Sequence, residues 1–193
     1  MPAPLLVTFA ARDTGTTGVS GWRIERIVPV IGETLPGAAH LNIVEGGNAA
    51  LPSHWLLRGT TSNLRYTRRN EADALTAKQE GLGRAQATCA ALIPIKKSEA
   101  WWALAQDERR AIMEERSRHI AIGMETLPQV SRRLHHCRDL GGEAGEAPPF
   151  DFLTWFEFAP EHAGAFDEMV GKLRASEEWE YVEREVEVRV VRG

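Results

Sequence analysis

The sequence predicts an α+β fold, and three observations in its second half carry that prediction. In FDFLTWFEF at 150–158, Phe152, Thr154, Phe156 and Phe158 share one face of a strand, and Leu153 and Trp155 share the other. A strand apolar on both sides belongs in the middle of its sheet. Residues 98–127 form a long stretch rich in Glu, Arg, Ala and Met that reads as helix. Pro128 ends it, because proline lacks the N–H and clashes with the preceding turn. The chain closes on EVEVRVV, where Val186, Val188 and Val190 alternate with charged residues as in a half-exposed strand.

In chain order, strand candidates lie at 4–11, 22–30, 40–45 and 54–61, followed by a helix near 70–80 (NEADALTAKQ). The loops at 12–20 and 46–53 are rich in Gly, Thr and Pro and are expected to be exposed. Residues 84–95 (RAQATCAALIPI) read as an apolar strand ended by Pro94 and the lysine pair. Ser98 suits the N-cap of the long helix, and Asp107 opens its second segment. A short strand follows at 130–138, then a Gly-rich loop at 141–148 and the apolar strand at 150–158. Pro160 starts a helix with Phe166, Met169, Val170 and Leu173 at helical spacing. From residue 84 the order is therefore βαββαβ, the pattern of a ferredoxin-like unit. The first half reads as a second, degenerate unit of that kind packed on the first, although no internal repeat establishes a duplication. No linker separates them, so one domain is expected over 1–193, with halves of about 1–83 and 84–193.

Composition excludes several classes of partner. Hydrophobic residues make up 43% and charged residues 26% of 193, ordinary values for a globular chain. A net charge of −4 gives no electrostatic case for nucleic acid or an anionic membrane. No apolar run approaches the ~20 residues of a membrane span. MPAPLLVTFAARD lacks the basic start of a signal peptide, and Cys89 and Cys137 lack zinc-site spacing. These features together lead us to expect a cytoplasmic protein with reduced thiols.

Chemistry is best sought around His119 and the arginine pair at 132 and 133. His119 has an apolar helical setting, with Ile112 seven before it and Ile122 and Gly123 three and four after. Little bulk at Gly123 would let a flat ring system rest beside the imidazole. Arg132 and Arg133 are adjacent in a strand, so only one can face a given pocket. The same alternation argues against a shared metal ion at His135–His136–Cys137. GLGRAQ at 81–86 lacks a full dinucleotide or P-loop pattern.

Three segments, KSEAWW at 97–102, SRHIAIGMETLPQVSRRLHHCRDLG at 117–141 and PFDFLTWFE at 149–157, resemble the C-terminal half of the chlorite dismutase family of haem b proteins. The resemblance implies two ferredoxin-like halves forming one α+β barrel. It implies His119 as proximal iron ligand and Arg132, thirteen residues on, as the distal arginine. It places a glutamate from LRASEEWEY as acceptor for the histidine's other N–H, Glu178 by the count from Leu173, with Glu177 the alternative. Lys97 would face a haem propionate and Trp101 would pack beside the haem, Trp102 being equally suited to plain core. Arg65 and Tyr66, in TSNLRY, resemble another propionate-facing segment. Gln79 resembles a polar residue that holds the distal arginine, and Leu127 would belong to the distal pocket.

The implied activity is decomposition of chlorite to chloride and dioxygen, with Arg132 retaining the transient hypochlorite. The short chain resembles the compact, homodimeric branch. The rivals are a haem-biosynthesis decarboxylase acting on coproporphyrin-type haem, whose members typically carry an uncharged residue at the position of Arg132, and a haem-binding or sensing protein without turnover.

Overall fold

β5 (Cys89–Lys97) and β7 (Phe152–Phe158) organise the structure because both are buried on nearly every residue. The computed structural model describes residues 4–13, 21–46, 53–61, 66–140 and 147–192. The other strands are β1 (Leu6–Arg12), β2 (Trp22–Ile31), β3 (His40–Glu45), β4 (Trp55–Thr61), β6 (Val130–His136) and β8 (Val182–Arg192). All pair antiparallel and close into a barrel in the order β1-β3-β2-β8-β5-β7-β6-β4. The first four strands join the last four through the long β2–β8 pairing and a short β4–β6 pairing of only Thr60 with His136 and Thr61 with His135.

Alternation along the strands divides the apolar residues between two cores. Phe9, Trp22, Leu41, Leu57, Leu92, Leu153, Trp155 and Val188 fill the barrel. Ile93, Ile95, Phe156 and Phe158 point outward and pack beneath Phe166, Met169, Val170 and Leu173. Those last four lie on one face of α5 (Ala163–Arg174), as their spacing predicts. The central position of the 150–158 segment is borne out: β7 lies between β5 and β6.

The long helix of 98–127 is broken. It becomes α2 (Glu99–Ala103), α3 (Gln106–Arg110), a π-helical turn (Ala111–Arg116) and α4 (His119–Glu125). Leu104 and Ala105 are extended, and Glu108 accepts the Ala105 N–H at 2.7 Å, which starts a new helix. Arg118 then adopts φ 55°, a left-handed conformation that ends the π turn before His119. Ile112 therefore lies on a different helical segment from His119.

Two strands also differ from expectation. β5 begins at Cys89, not near 84, because Arg84 is clamped to the carbonyls of Pro128 (3.1 Å) and Gln129 (3.0 Å) and opens a turn. In β8 the charged Glu185 and Glu187 are buried, not half-exposed. Arg174 neutralises both, at 2.6 and 2.9 Å. α1 (Arg69–Lys78) has no buried residue and is fastened by polar contacts, Glu71 with Arg110 at 2.5 Å among them. The expected exposed loops at 12–20 and 46–53 and the loop at 141–148 lie largely outside the described residues.

Candidate active site

Between the outer face of the sheet and the helices lies a cavity of about 260 Å³. Its floor is Ile93 and Ile95 of β5, Arg132 and Leu134 of β6, and Thr154 and Phe156 of β7. Strand alternation explains this lining, since Arg132 and Leu134 are two apart, as are Thr154 and Phe156. His119 and Gly123 of α4, one helical turn apart, form a wall with Met169, Val170 and Leu173 of α5 and with Trp179. Leu75 and Thr76 of α1, with Gln79 just past its end, complete the enclosure.

His119 meets Glu178 on one side. Its Nδ1 lies 2.6 Å from Glu178 Oε2, and Lys97 Nζ donates to Oε1 at 2.9 Å and to the Glu178 carbonyl at 3.2 Å. Glu178 is buried, and its backbone N–H donates to Ser117 Oγ at 2.9 Å. Burial by itself would push its carboxyl up, but the charges of and hydrogen bonds from His119 and Lys97 outweigh that and hold it at about 2. An ionised carboxylate here can only accept, so His119 Nδ1 carries the proton and Nε2 is the nitrogen available to a metal. Trp179 stacks on the imidazole at 6.3 Å between ring centroids. The adjacent Glu177 instead pairs with Arg116 at 2.7 Å.

Arg132 faces His119's helix across the cavity. Its Nη1 donates to the Gly123 carbonyl at 2.9 Å. Among the described residues no carboxylate pairs with it, and burial lowers its guanidinium to about 10, still charged at neutral pH. Gln79 grips its backbone from both sides, with Nε2 donating to the Arg132 carbonyl at 3.0 Å and Oε1 accepting its N–H at 3.4 Å. Arg133 turns to the other face, where it bonds His135 at 3.1 Å and Glu45 at 2.5 Å. His135 is fully buried, and burial holds it down at about 4 and neutral. Among the described residues no group of three or more His, Cys, Asp and Glu could hold a metal ion.

Three residues depart from their expected places, and one lies out of view. Lys97 is not open to a propionate: its side chain is 3% exposed and committed to Glu178, because a buried ammonium needs a carboxylate partner. Tyr66 does not line the cavity; its hydroxyl accepts from Arg109 at 3.1 Å and its carbonyl from Arg110 at 2.5 Å. Leu127 is buried but beyond the end of α4, outside the cavity wall, where the chain turns toward β6. Arg65 falls outside the described residues. Trp101 is buried between the edges of Tyr66 and Tyr181, and its Nε1 has no partner among the described residues. Sequence reasoning missed Trp179, and its adjacency to the predicted Glu178 was the available signal.

The chlorite dismutase family profile matches residues 44–192, most of the chain. A crystal structure of a dimeric chlorite dismutase from Nitrobacter winogradskyi is 52% identical, covers 97% of this chain and 99% of its own, and superposes with a TM-score of 0.85. The chain belongs to the chlorite dismutase family. A mutant chlorite dismutase from Candidatus Nitrospira defluvii, 19% identical over 98% of this chain and 91% of its own at a TM-score of 0.65, shares the fold. The same protein in complex with imidazole is 18% identical, over 96% and 90%, with a TM-score of 0.60. The comparison with curated proteins returned no match.

Members of the chlorite dismutase family use haem, and the cavity suits such a group on three counts. A flat macrocycle needs apolar walls and an imidazole, which Ile93, Ile95, Phe156, Leu173 and His119 offer. The wall beside the imidazole is bare at Gly123, where an added Cβ would crowd the Arg132 guanidinium that lines the same space. With Arg132 folded across to Gly123 the space of about 260 Å³ is just short of the roughly 300–1,000 Å³ of a cofactor pocket. Moving that one flexible side chain aside enlarges it.

Proposed function

We propose that this protein is a haem b-dependent chlorite dismutase, converting chlorite to chloride and dioxygen, with His119 as iron ligand and Arg132 on the opposite side of the group. The observation that carries the proposal is an apolar cavity joining a histidine backed by a buried carboxylate to a half-buried guanidinium that no carboxylate pairs with among the described residues. A cation so placed is suited to an anionic guest, and the 52% identical relative is a chlorite dismutase. A haem-biosynthesis decarboxylase is not favoured, because the arginine is present and faces the cavity.

When bound, the haem supplies a redox-active iron at which chlorite's Cl–O bond can break and its two oxygens can join. Glu178 would hold the His119 Nδ1 proton and make Nε2 more electron-donating. Lys97 would keep that carboxylate ionised and fixed. Arg132 would attract chlorite and retain the hypochlorite fragment by charge-assisted hydrogen bonds until the second oxygen is released. Gln79 would fix the strand position from which the guanidinium swings. Apolar walls exclude water, which strengthens the arginine–anion attraction. The balance, chlorite to chloride plus dioxygen, needs no external electron and no net proton, so no distal acid or base is required.

The fold reading extends to two ferredoxin-like halves, about 1–83 and 84–193, in one domain. The order β8-β5-β7-β6, with helices between β5 and β6 and between β7 and β8, supports it for the second half. The order β2-β3-β1-β4 supports it for the first. A homodimer is proposed on the strength of the dimeric relative. A cytoplasmic place is proposed from the two unpaired cysteines, Cys89 and Cys137. Among the described residues no helix is long and apolar enough to cross a membrane.

Haem-loaded protein given chlorite in an oxygen-electrode cell tests the proposal. Oxygen release over many turnovers supports it; a Soret band without oxygen would identify a binding protein instead.

A further inference from the structure

We propose that Glu114 is the positioning residue that presents His119 to the cavity, a role resting on the reading of His119 as iron ligand. The break before His119 creates a helix N-terminus in the middle of the chain, and its first amides lack intrahelical acceptors. Such ends are normally capped by a Ser, Thr, Asp or Asn at the N-cap. Here the N-cap is Arg118, which has no side-chain oxygen and lies at φ 55°. Glu114 supplies the cap from the preceding π turn instead. Its Oε2 accepts the N–H of Ile120 at 2.6 Å and its Oε1 the N–H of Ala121 at 3.3 Å.

These are the two amides directly after His119, so one carboxylate fixes the backbone that carries the imidazole. The same turn fixes the imidazole's partner, because Ser117 Oγ accepts the Glu178 N–H at 2.9 Å. Between Glu114 and Ala121 the chain therefore sets the His119–Glu178 alignment from both sides. Arg118 is the only non-glycine residue with positive φ among those described. A strained conformation of this kind persists only when its surroundings over-determine it, and the Glu114 bridge across it does so.

The carboxylate has an electrostatic consequence as well. A helix N-terminus carries a partial positive charge, which beside His119 would reduce electron donation to a metal. Glu114 offsets that charge.

Glu114→Ala, Glu114→Gln and His119→Ala separate the parts. In haem-free Glu114→Ala, hydrogen exchange at the Ile120 and Ala121 amides should accelerate roughly five- to tenfold, the size of a lost cap. After reconstitution, its haem should pass to apomyoglobin faster by a similar factor. Glu114→Gln, whose one amide oxygen can still accept the Ile120 N–H, should restore slow exchange at Ile120 but not at Ala121, and should raise the reduction potential of the iron. Wild-type exchange and haem release in Glu114→Ala, alongside haem loss in His119→Ala, would overturn the proposal. Wild-type haem retention in His119→Ala would instead overturn the ligand reading. Should Glu114→Ala fail to fold, Glu114→Gln decides: a raised potential supports the role, an unchanged one refutes it.

Discussion

Arg132 can lie against α4 because residue 123 is glycine. A Cβ there would fall 2.5 Å from Nη2 and 2.6 Å from Nη1 of the arginine, inside any permitted contact. The bare α4 surface one turn from His119 is thus as much a part of the cavity as the histidine itself.

Gly123→Ala should fold, because the displaced atoms are the far end of a flexible side chain. The added methyl projects into the cavity, and overpacking costs about 1–3 kcal/mol. Haem affinity should therefore fall, by roughly 5- to 150-fold on that scale. Soret titration of the haem-free variant measures this, and unchanged affinity would place the group away from α4.

Arg132→Ala should load haem normally, because arginine makes no bond to iron. Losing a charge-assisted hydrogen bond costs about 1.5–3 kcal/mol, which is roughly ten- to a hundredfold in kcat/KM for chlorite. Hypochlorite should also escape and bleach the haem after fewer turnovers, which monochlorodimedone added during turnover would report. Arg133→Ala should turn over like wild type, since Arg133 is engaged with Glu45 and His135 on the other face. A defect in Arg133→Ala alone would reverse the assignment.

Glu178→Gln should retain haem yet raise the iron's reduction potential, because an amide withdraws the charge that makes His119 a strong donor. It also leaves the Lys97 ammonium buried without a counter-ion, so the haem-free variant should lose stability near neutral pH. Spectroelectrochemistry and urea denaturation check the two effects. An unchanged potential would mean the carboxylate does not act through His119.

Acid should act on the same group. The Glu178 carboxyl is held at about 2 in the folded protein against an ordinary 4.5. A depressed carboxyl contributes stability that is complete above the unfolded value and is lost as pH falls through the folded one. The haem-free protein should therefore weaken between about pH 4.5 and pH 2, by on the order of 3 kcal/mol from this group. Urea midpoints across that range should fall more steeply for wild type than for Glu178→Gln. Parallel profiles would contradict the network.

Much of this site was legible because strand alternation is a strict rule. Leu153 and Trp155 separated from Phe156 and Phe158 in the sequence as they do in the barrel, and the same rule let only one of Arg132 and Arg133 face the cavity. Helical spacing on α5 was equally plain. What could not be read depends on particular side-chain contacts made in the folded chain, some local and some distant in sequence. The break in 98–127 is secured by Glu108, Glu114 and a left-handed Arg118, none of which disturbs the helical composition. Lys97 looked free for a propionate until Glu178, 81 positions away, was placed beside it. Glu185 and Glu187 looked solvated because their partner Arg174 comes from another element.

The most direct measurement is oxygen yield per chlorite from haem-loaded wild type and Arg132→Ala, followed to exhaustion. The account predicts one dioxygen per chlorite from wild type over many turnovers, and earlier failure with a lower yield from the variant. No oxygen from fully haem-loaded wild type, or equal yields and endurance from both proteins, would contradict it.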